Sequence, residues 1–487
     1  MNCTEHDLPR SFRPQISKYG EGLAGHMRQI CWLDWFLRKV CDSELEQEMD
    51  IKTSTQIADA FLRLWRDSRE RTSRFEETTK GPHRLFSEPD KGTILTGPKG
   101  IVAFEKIVTL LSEDPAIGMK FSRRELEKQI QSVAVILHGV KQSDIEMRVN
   151  SHVKAMIQQL EGSTPARWEI YLPVENLVLD SEVTIGQTSI KMCDDSIRQS
   201  ILNTFVKMNR LSTSPDEVKN GVEKIFEERL AQDYTGRAIM RVETRAVDAI
   251  RAVELAIEQA ETALNVLRFY SRGVIEYDAR HYRMYIGLKG STSRGQLFAV
   301  GFREPAGHTM SVQNTGYLYE LKLGEKELSQ MQKDSFKTLH EILFKAPDQR
   351  TAFENLIVNS VNLFGGAMNN QDRVGALVSI VVSLESILLR KGEPMRTLLA
   401  ERIALLLGRN YEERMFYFSQ MSRLYQIRSD IVHRGFQDIT DSDLFLLSII
   451  AYHVLVKLIA DSPKLNDIGK LVEAFNTMKF GGTGPEK

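Results

Sequence analysis

The sequence predicts a mostly α-helical protein with a mixed α+β middle domain and an all-α helical bundle at its C-terminal end. Three observations support this fold class. Apolar residues recur at three- and four-residue spacing up to about residue 160, alternate with polar residues between 161 and 327, and resume helical spacing from 328. We therefore expect an N-terminal helical region at 1–160, a mixed α+β domain at 161–327, a bundle at 328–475 and a disordered tail at 476–487.

The composition is that of a soluble globular protein. Of the 487 residues, 42% are hydrophobic and 26% are charged, which is enough apolar material for a sizeable core. The net charge is −1, so nothing global favours a polyanionic partner. A site for nucleic acid must therefore be local and built from clustered Arg and Lys.

Cysteine usage and hydropathy indicate a cytoplasmic protein with reduced thiols. The four cysteines, Cys3, Cys31, Cys41 and Cys193, are scattered and show no zinc spacing, so we expect no metal and no cofactor. The N-terminus has no signal-peptide pattern. The apolar run Leu444–Ala460 is interrupted by polar residues, which favours a buried helix with His453 in the core over a membrane span.

The N-terminal region contains one apparent loop and one motif that fails. The segment Thr79–Gly100 is rich in Gly and Pro and predicts an extended loop. Within it, GTILTGPKG resembles a phosphate-binding loop only superficially. Pro98 separates the second glycine from the lysine, and Gly100 stands where a hydroxyl residue is required. We therefore do not expect nucleotide binding there.

The middle and C-terminal segments can be divided into elements. In the middle region we expect strands from about 168 to 190, helices at 196–233, a strand near 237–243, a long helix at 247–270 and about three strands between 282 and 323. In the bundle we expect helices at 328–344, 350–364, 372–390, 395–407, 411–433, 442–461 and 467–478.

The stretch LYQIRSDIVHRGF places Arg428 and His433 five residues apart at the end of a helix, with Gly435 as its stop. The same spacing occurs at Arg303 and His308, but there it falls in a Pro/Gly loop that fixes no geometry. Arg428 lies on the apolar face of the helix, about 40° from Leu424. It therefore needs an acidic partner, a bound anion or a subunit interface, unless its head reaches water by snorkelling.

Such a pair could act on a phosphate. His433 can exchange a proton near neutral pH, and in the final turn it could swing towards Arg428 where the helix unwinds. Asp430 could hold the His433 imidazole, or it could pair with Arg434 on the surface. In an RNA substrate the 2′-hydroxyl is the nucleophile, so no metal is needed. A second copy of the chain would supply both an acid and a base.

The C-terminal third resembles the Apea-like branch of the HEPN family. The resemblance covers residues 328 to about 471 and includes IRSDIVHRG, which matches the family's Arg-x(4–6)-His motif. It also includes SIVVSLESILLRKGE, where Glu385 matches an acidic position, and LLAERIALLLG. Ser429 follows the arginine, where many family members carry Asn.

The resemblance implies a metal-independent endoribonuclease at a dimer cleft, leaving a 2′,3′-cyclic phosphate and a 5′-hydroxyl. Arg428 would clamp the phosphate, His433 would be the general acid/base, and Glu385 would position one of them, with Asp430 and Ser429 in supporting places. Such domains recur in bacterial antiphage and toxin systems, where the appended region senses a phage-derived or partner-protein trigger. The alternatives are a non-catalytic HEPN module for RNA binding or assembly, and a purely structural helical protein.

Overall fold

The computed structural model describes residues 46–70, 84–88, 92–208, 216–274, 284–286, 296–302, 308–314, 320–332, 334–370, 372–390, 392–435, 439–465 and 467–480. These residues form two compact units. Unit 1 contains the described residues up to Trp168 together with Thr244–Leu255, and unit 2 contains Glu169–Glu243 and the described residues from Ala256 onward. The chain is mostly helical with small sheets in the middle, as the sequence predicts.

Unit 1 combines helices with a small sheet. Its elements in chain order are α1 (Glu46–Asp67), β1 (Ser68–Glu70), β2 (Arg84–Glu88), β3 (Gly92–Thr96), α2 (Pro98–Glu113), α3 (Pro115–Gly118), α4 (Arg123–His138) and α5 (Ile145–Gly162). The spacing of Ile57, Phe61 and Leu64 places three buried side chains on one face of α1. Phe104 and Ile107 of α2 belong to the same hydrophobic cluster, which forms the core of this unit.

The prediction of an extended loop at Thr79–Gly100 was wrong for the part that the structure describes. β2 and β3 pair antiparallel, and β1 pairs with the other edge of β3. Phe86 and Ile94 are buried, so apolar burial stabilises this sheet. Pro98 lies in the first turn of α2, where a missing N–H costs nothing. The Gly-Pro pair therefore marks the start of a helix.

The remaining elements alternate strands and helices and then become all helical. In chain order they are β4 (Ala166–Glu175), β5 (Leu177–Leu179), β6 (Val183–Ile185), β7 (Thr188–Met192), α6 (Asp195–Met208), α7 (Asp216–Tyr234), β8 (Ala238–Ala246), α8 (Ala249–Val274), β9 (Tyr285–Ile286), β10 (Gln296–Phe302), β11 (His308–Asn314), β12 (Leu321–Leu323), α9 (Glu325–Met331), α10 (Asp334–Phe344), α11 (Ala352–Met368), α12 (Arg373–Leu388), α13 (Met395–Leu407), α14 (Tyr411–Arg434), α15 (Asp441–Asp461) and α16 (Ile468–Lys479).

The middle strands form three separate sheets. The largest has the order β6-β7-β8-β4-β9, β10 and β11 form an antiparallel pair, and β5 pairs parallel with β12. Burial alternates along part of β8, where Met240 and Val242 are buried and Arg241 is exposed. The strands expected from period-two alternation are therefore present.

One hydrophobic core crosses residue 327, where the sequence suggests a boundary between the middle domain and the bundle. Leu321 of β12 and Leu339 of α10 belong to the same cluster of buried residues as Leu384 of α12 and Leu447 of α15. The helices after 327 thus share a compact unit with part of the middle region. Periodicity marks where strands give way to helices, but it does not report which elements bury their faces together.

The C-terminal helices follow the expected bounds with two corrections. The single helix expected at 328–344 is two helices, α9 and α10. Residues 476–479, expected to belong to a disordered tail, instead continue α16, which buries Phe475 against the core. Residues 481–487 lie outside the described part of the chain.

α15 is the one helix among the described residues that is long and apolar enough to cross a membrane by length and composition. Leu447, Val454 and Leu458 are fully buried along it, so the prediction of a buried helix is confirmed. The expected core position of His453 is wrong, because its side chain is exposed. It lies on the side of α15 that also exposes Phe445 and Lys457.

Candidate functional site

α14 carries the Arg–His pair and ends where the sequence predicts. Asn410 caps its first turn by accepting a backbone hydrogen bond of 2.8 Å. At the other end Gly435 has a φ of 67°, and its N–H donates to the carbonyls of Asp430 and Ile431. Glycine adopts this left-handed conformation without strain, so Gly435 explains why the helix stops directly after Arg434.

Arg428 is held by Glu385, which α12 presents to it. Nη2 of Arg428 lies 3.4 Å from Oε2 of Glu385, and the two side chains are 20% and 15% exposed. The arginine therefore has an acidic partner and does not merely extend its head into water. Glu385 was expected to contact either Arg428 or His433, and the structure places it against Arg428.

The hydrogen bonding of this pair is incomplete. Nε of Arg428 and Oε1 of Glu385 are buried, and neither has a hydrogen-bond partner among the described residues. The Nη2–Oε2 distance is itself beyond the usual range for an N–H···O bond. A buried polar atom without a partner costs about 1–3 kcal/mol. The pair would therefore be stabilised by a group that accepts from Arg428 and donates to Glu385.

Tyr425 completes this cluster, although it is not among the site residues that the sequence predicts. It lies one turn before Arg428, is 7% exposed, and its ring centroid is 5.6 Å from the guanidinium carbon of Arg428. That distance allows a cation–π contact. Burial raises the pKa of the Tyr425 phenol to about 12, and the nearby Glu385 carboxylate acts in the same direction. The sequence feature that points to Tyr425 is its spacing of three residues from Arg428.

His433 lies apart from this cluster. It is exposed and belongs to the last turn of α14, which remains helical through Arg434. The expected unwinding of the helix at His433 therefore does not occur. Five residues along a helix correspond to about 140° of rotation and about 7.5 Å of rise, so His433 and Arg428 project from different faces.

Asp430 is engaged away from His433. Its Oδ1 accepts a hydrogen bond of 3.1 Å from Nε2 of Gln426 and lies 3.4 Å from Nη1 of the exposed Arg434. Of the two expected partners of Asp430, the structure has Arg434 on the surface. Ser429 is half-buried and lies about 40° from His433 around the helix axis, so it shares the side of α14 that carries His433.

Close packing of α11 against α12 fixes the backbone beside Glu385. The hydroxyl of Ser360 donates to the carbonyl of Ser383 over 3.0 Å, and the hydroxyl of Ser383 donates to the carbonyl of Ser360 over 2.9 Å. Ser386, the neighbour of Glu385, shares a hydrogen bond of 3.1 Å with Ser360. Small side chains let the two helices approach, and the reciprocal bonds satisfy buried polar groups.

A second arginine–carboxylate pair secures the end of α12. Arg402 is 4% exposed and donates to both oxygens of Glu393 at 2.8 Å each, and it also donates to the carbonyl of Leu388. Burial alone would raise the pKa of Glu393, but hydrogen bonds from Arg402 and from the Arg390 N–H lower it overall. This pair is saturated, so its role is to hold the chain that follows Glu385.

Other motifs that the sequence raised do not form a site. The Asp67 carboxylate accepts a hydrogen bond of 2.7 Å from the Gly100 N–H at the start of α2, so the first turn there already faces a carboxylate. In the part of the chain that the structure describes, no three His, Cys, Asp or Glu side chains group as metal ligands would. The other Arg–His spacing cannot be placed, because Arg303 lies outside the described residues.

Comparison with known proteins adds no relative. No protein-family model, no curated protein and no solved structure matches this chain. The resemblance to HEPN domains rests on the residues of α12 to α14 alone, and the activity it implies is a proposal.

Proposed function

We propose that this protein is a HEPN-type endoribonuclease that cleaves RNA in phage defence or in stress-induced growth arrest, in the cytoplasm. Arg428 binds the scissile phosphate, His433 is the general acid and base, and Glu385 positions Arg428. One observation carries this proposal. The mostly buried Arg428 of α14 lies 3.4 Å from the Glu385 carboxylate of α12, and the last turn of α14 exposes His433.

An RNA backbone carries the two kinds of group that the unsatisfied atoms of the Arg428–Glu385 pair lack. Nε of Arg428 lacks an acceptor and Oε1 of Glu385 lacks a donor. A phosphate oxygen is an acceptor, and the adjacent ribose 2′-hydroxyl is a donor. Arginine is always charged and matches phosphate oxygens with its planar fork. The same atoms would not both be satisfied by DNA, which lacks the 2′-hydroxyl.

The reaction balances without another reagent. A base removes the proton of the 2′-hydroxyl, and the 2′-oxygen attacks the adjacent phosphorus. The bond from phosphorus to the 5′-oxygen of the next nucleotide breaks, and an acid protonates that oxygen. The products are a 2′,3′-cyclic phosphate and a 5′-hydroxyl. Arg428 stabilises the extra negative charge on the phosphate during attack.

A homodimer, or a higher homo-oligomer, accounts for the separation of the two side chains. On one α14 helix Arg428 and His433 project about 140° apart. Two copies of the helix around a twofold axis would supply two histidines to one cleft, one as base and one as acid. Residues 1–327 would then sense the trigger, either a phage component or a partner protein, and restrain the cleft.

The second candidate is a HEPN-like module without cleavage, serving as an RNA-binding or assembly domain in a defence complex. It is favoured by the position of Asp430, which contacts Gln426 and Arg434. A general-base histidine is usually oriented by such a carboxylate. In that case RNA would bind and stay intact, and removing His433 would change nothing.

The test is RNA integrity in bacteria that express the chain and are challenged with a panel of phages. Wild type should cut RNA under at least one challenge, while His433→Ala and Arg428→Ala should leave it intact. Arg434→Ala is the matched control, because Arg434 is an exposed arginine on the same helix, and it should behave like wild type. Intact RNA in wild type under every challenge, or full cleavage by His433→Ala, would overturn the proposal.

A further inference from the structure

Tyr425 is the most buried member of the cluster around Arg428. It is 7% exposed and lies one turn before Arg428 on α14, with its ring centroid 5.6 Å from the guanidinium carbon of Arg428. Residues three apart on a helix are neighbours on its surface, so the backbone itself keeps the ring beside the arginine. No motion of another element is needed to make this contact.

Glu385 alone does not fix the plane of the Arg428 guanidinium. The carboxylate meets Arg428 through one atom pair at 3.4 Å, and Nε has no partner. A single contact leaves the guanidinium free to rotate about it, whereas a forked pair with two short bonds does not. An aromatic face restricts this rotation, because the attraction depends on where the charge lies over the ring.

We infer that Tyr425 is a positioning residue that orients Arg428 for binding the scissile phosphate, with its ring setting the guanidinium plane. This inference rests on the proposed ribonuclease function. The phenol hydroxyl is not needed for this role. Burial and the Glu385 carboxylate raise its pKa, so the hydroxyl stays protonated and neutral beside that carboxylate. The ring and the hydroxyl can therefore be tested separately.

Two substitutions separate the ring from the hydroxyl. Tyr425→Phe keeps the ring and should retain cleavage to within about threefold of wild type. Tyr425→Leu removes the ring and should lower kcat about tenfold, with KM changed by less than about threefold, because orientation matters most in the transition state. Tyr417→Leu is the matched control, since Tyr417 is a partly buried tyrosine on α14 that packs against the core.

A double-mutant cycle tests whether Tyr425 acts through Arg428. Full-length wild type, Tyr425→Leu, Arg428→Lys and the double variant, each with the trigger found in the phage challenge, are assayed on a fluorescently labelled RNA oligonucleotide. Lysine keeps the charge but has no plane to orient. The double variant should cleave no more slowly than Arg428→Lys alone, because the function of the ring is already lost. If Tyr425 had only a structural role, the losses of cleavage rate in the two single variants would multiply in the double variant.

The outcomes distinguish this inference from the function on which it rests. If wild type cleaves no RNA, the proposed function fails, and the positioning role falls with it. If wild type cleaves, three results would each overturn the positioning role alone. These are multiplied losses in the cycle, equal losses for Tyr425→Phe and Tyr425→Leu, or a loss of the same size in Tyr417→Leu.

Discussion

Arg428 and Glu385 meet at one atom pair 3.4 Å apart, with one buried polar atom unsatisfied on each side. The nearby Arg402 and Glu393 instead share two bonds of 2.8 Å. Glu385 lies in the last turn of α12 and Glu393 lies between α12 and α13, and both arginines are largely buried. The saturated pair therefore has the geometry of a structural clamp, and the unsaturated pair has capacity left for a ligand.

The first prediction concerns the stability that the incomplete pair still contributes. Glu385→Gln should lower the free energy of unfolding by about 1–3 kcal/mol, because it leaves a mostly buried guanidinium without its counter-charge. The measurement is chemical denaturation of the full-length chain. Glu401→Gln is the control, since Glu401 pairs with the exposed Lys479 and should matter by less than about 1 kcal/mol. Equal effects of both substitutions would contradict the burial argument.

The second prediction is a pH dependence at the structural clamp. Because the folded-state pKa of Glu393 is lowered from 4.5, its contribution to stability is fully present above pH 4.5 and is lost as the pH falls through the lowered value. Glu393→Gln should therefore be less stable than wild type at about pH 7, and the difference should shrink at about pH 3. Denaturation midpoints of both chains across this range give the answer. A difference that stays constant with pH would exclude the ionised pair.

The third prediction uses two adjacent glycines of α11. A Cβ on Gly365 would lie 2.5 Å from backbone atoms of Asn265 in α8, whereas a Cβ on Gly366 would meet nothing within 4 Å. Gly365→Ala should lower the free energy of unfolding by about 1–3 kcal/mol, because the new methyl group would clash with backbone atoms, which cannot shift without disturbing α8. Gly366→Ala should be neutral or stabilising by up to about 1 kcal/mol, because alanine favours helix. Thermal unfolding of the two variants, one residue apart, tests the close approach of α8 and α11.

The fourth prediction separates Asp430 from the chemistry. Because Asp430 bonds Gln426 and Arg434, Asp430→Asn should leave RNA cleavage within about threefold of wild type and change stability by less than about 0.5 kcal/mol. The comparison is the cleavage rate of purified Asp430→Asn and wild type on the same RNA. A loss as large as that of His433→Ala would mean that Asp430 turns to hold the imidazole in the active state.

Local features were predictable from the sequence, and this is clearest at the end of α14. Gly435 was expected to stop the helix, and its positive φ is the reason, because few other residues adopt that backbone without strain. The hairpin of β2 and β3 was not predicted, because Pro and Gly at its flanks were more conspicuous than the buried Phe86 and Ile94 between them. Turn residues mark ends of strands as well as loops.

The candidate site was predictable only in part, because its contacts are tertiary. Glu385 and Arg428 are 43 residues apart, and the sequence could not decide between Arg428 and His433 as the partner of Glu385. Tyr425 was missed because a tyrosine at helical spacing is most often a core residue. It is indeed buried, and its distance to the guanidinium of Arg428 is what assigns it to this site.

The central claim is that Arg428 and His433 cleave RNA through its own 2′-hydroxyl, and one measurement tests it most directly. Purified full-length protein, with the trigger found in the phage challenge, is incubated with an RNA oligonucleotide and with a copy carrying a single 2′-deoxy sugar at the cleaved position. Wild type should cut only the all-ribose strand and leave a 2′,3′-cyclic phosphate, and His433→Ala should cut neither. Cleavage of the 2′-deoxy copy, or a product ending in a 3′-hydroxyl, would contradict the account.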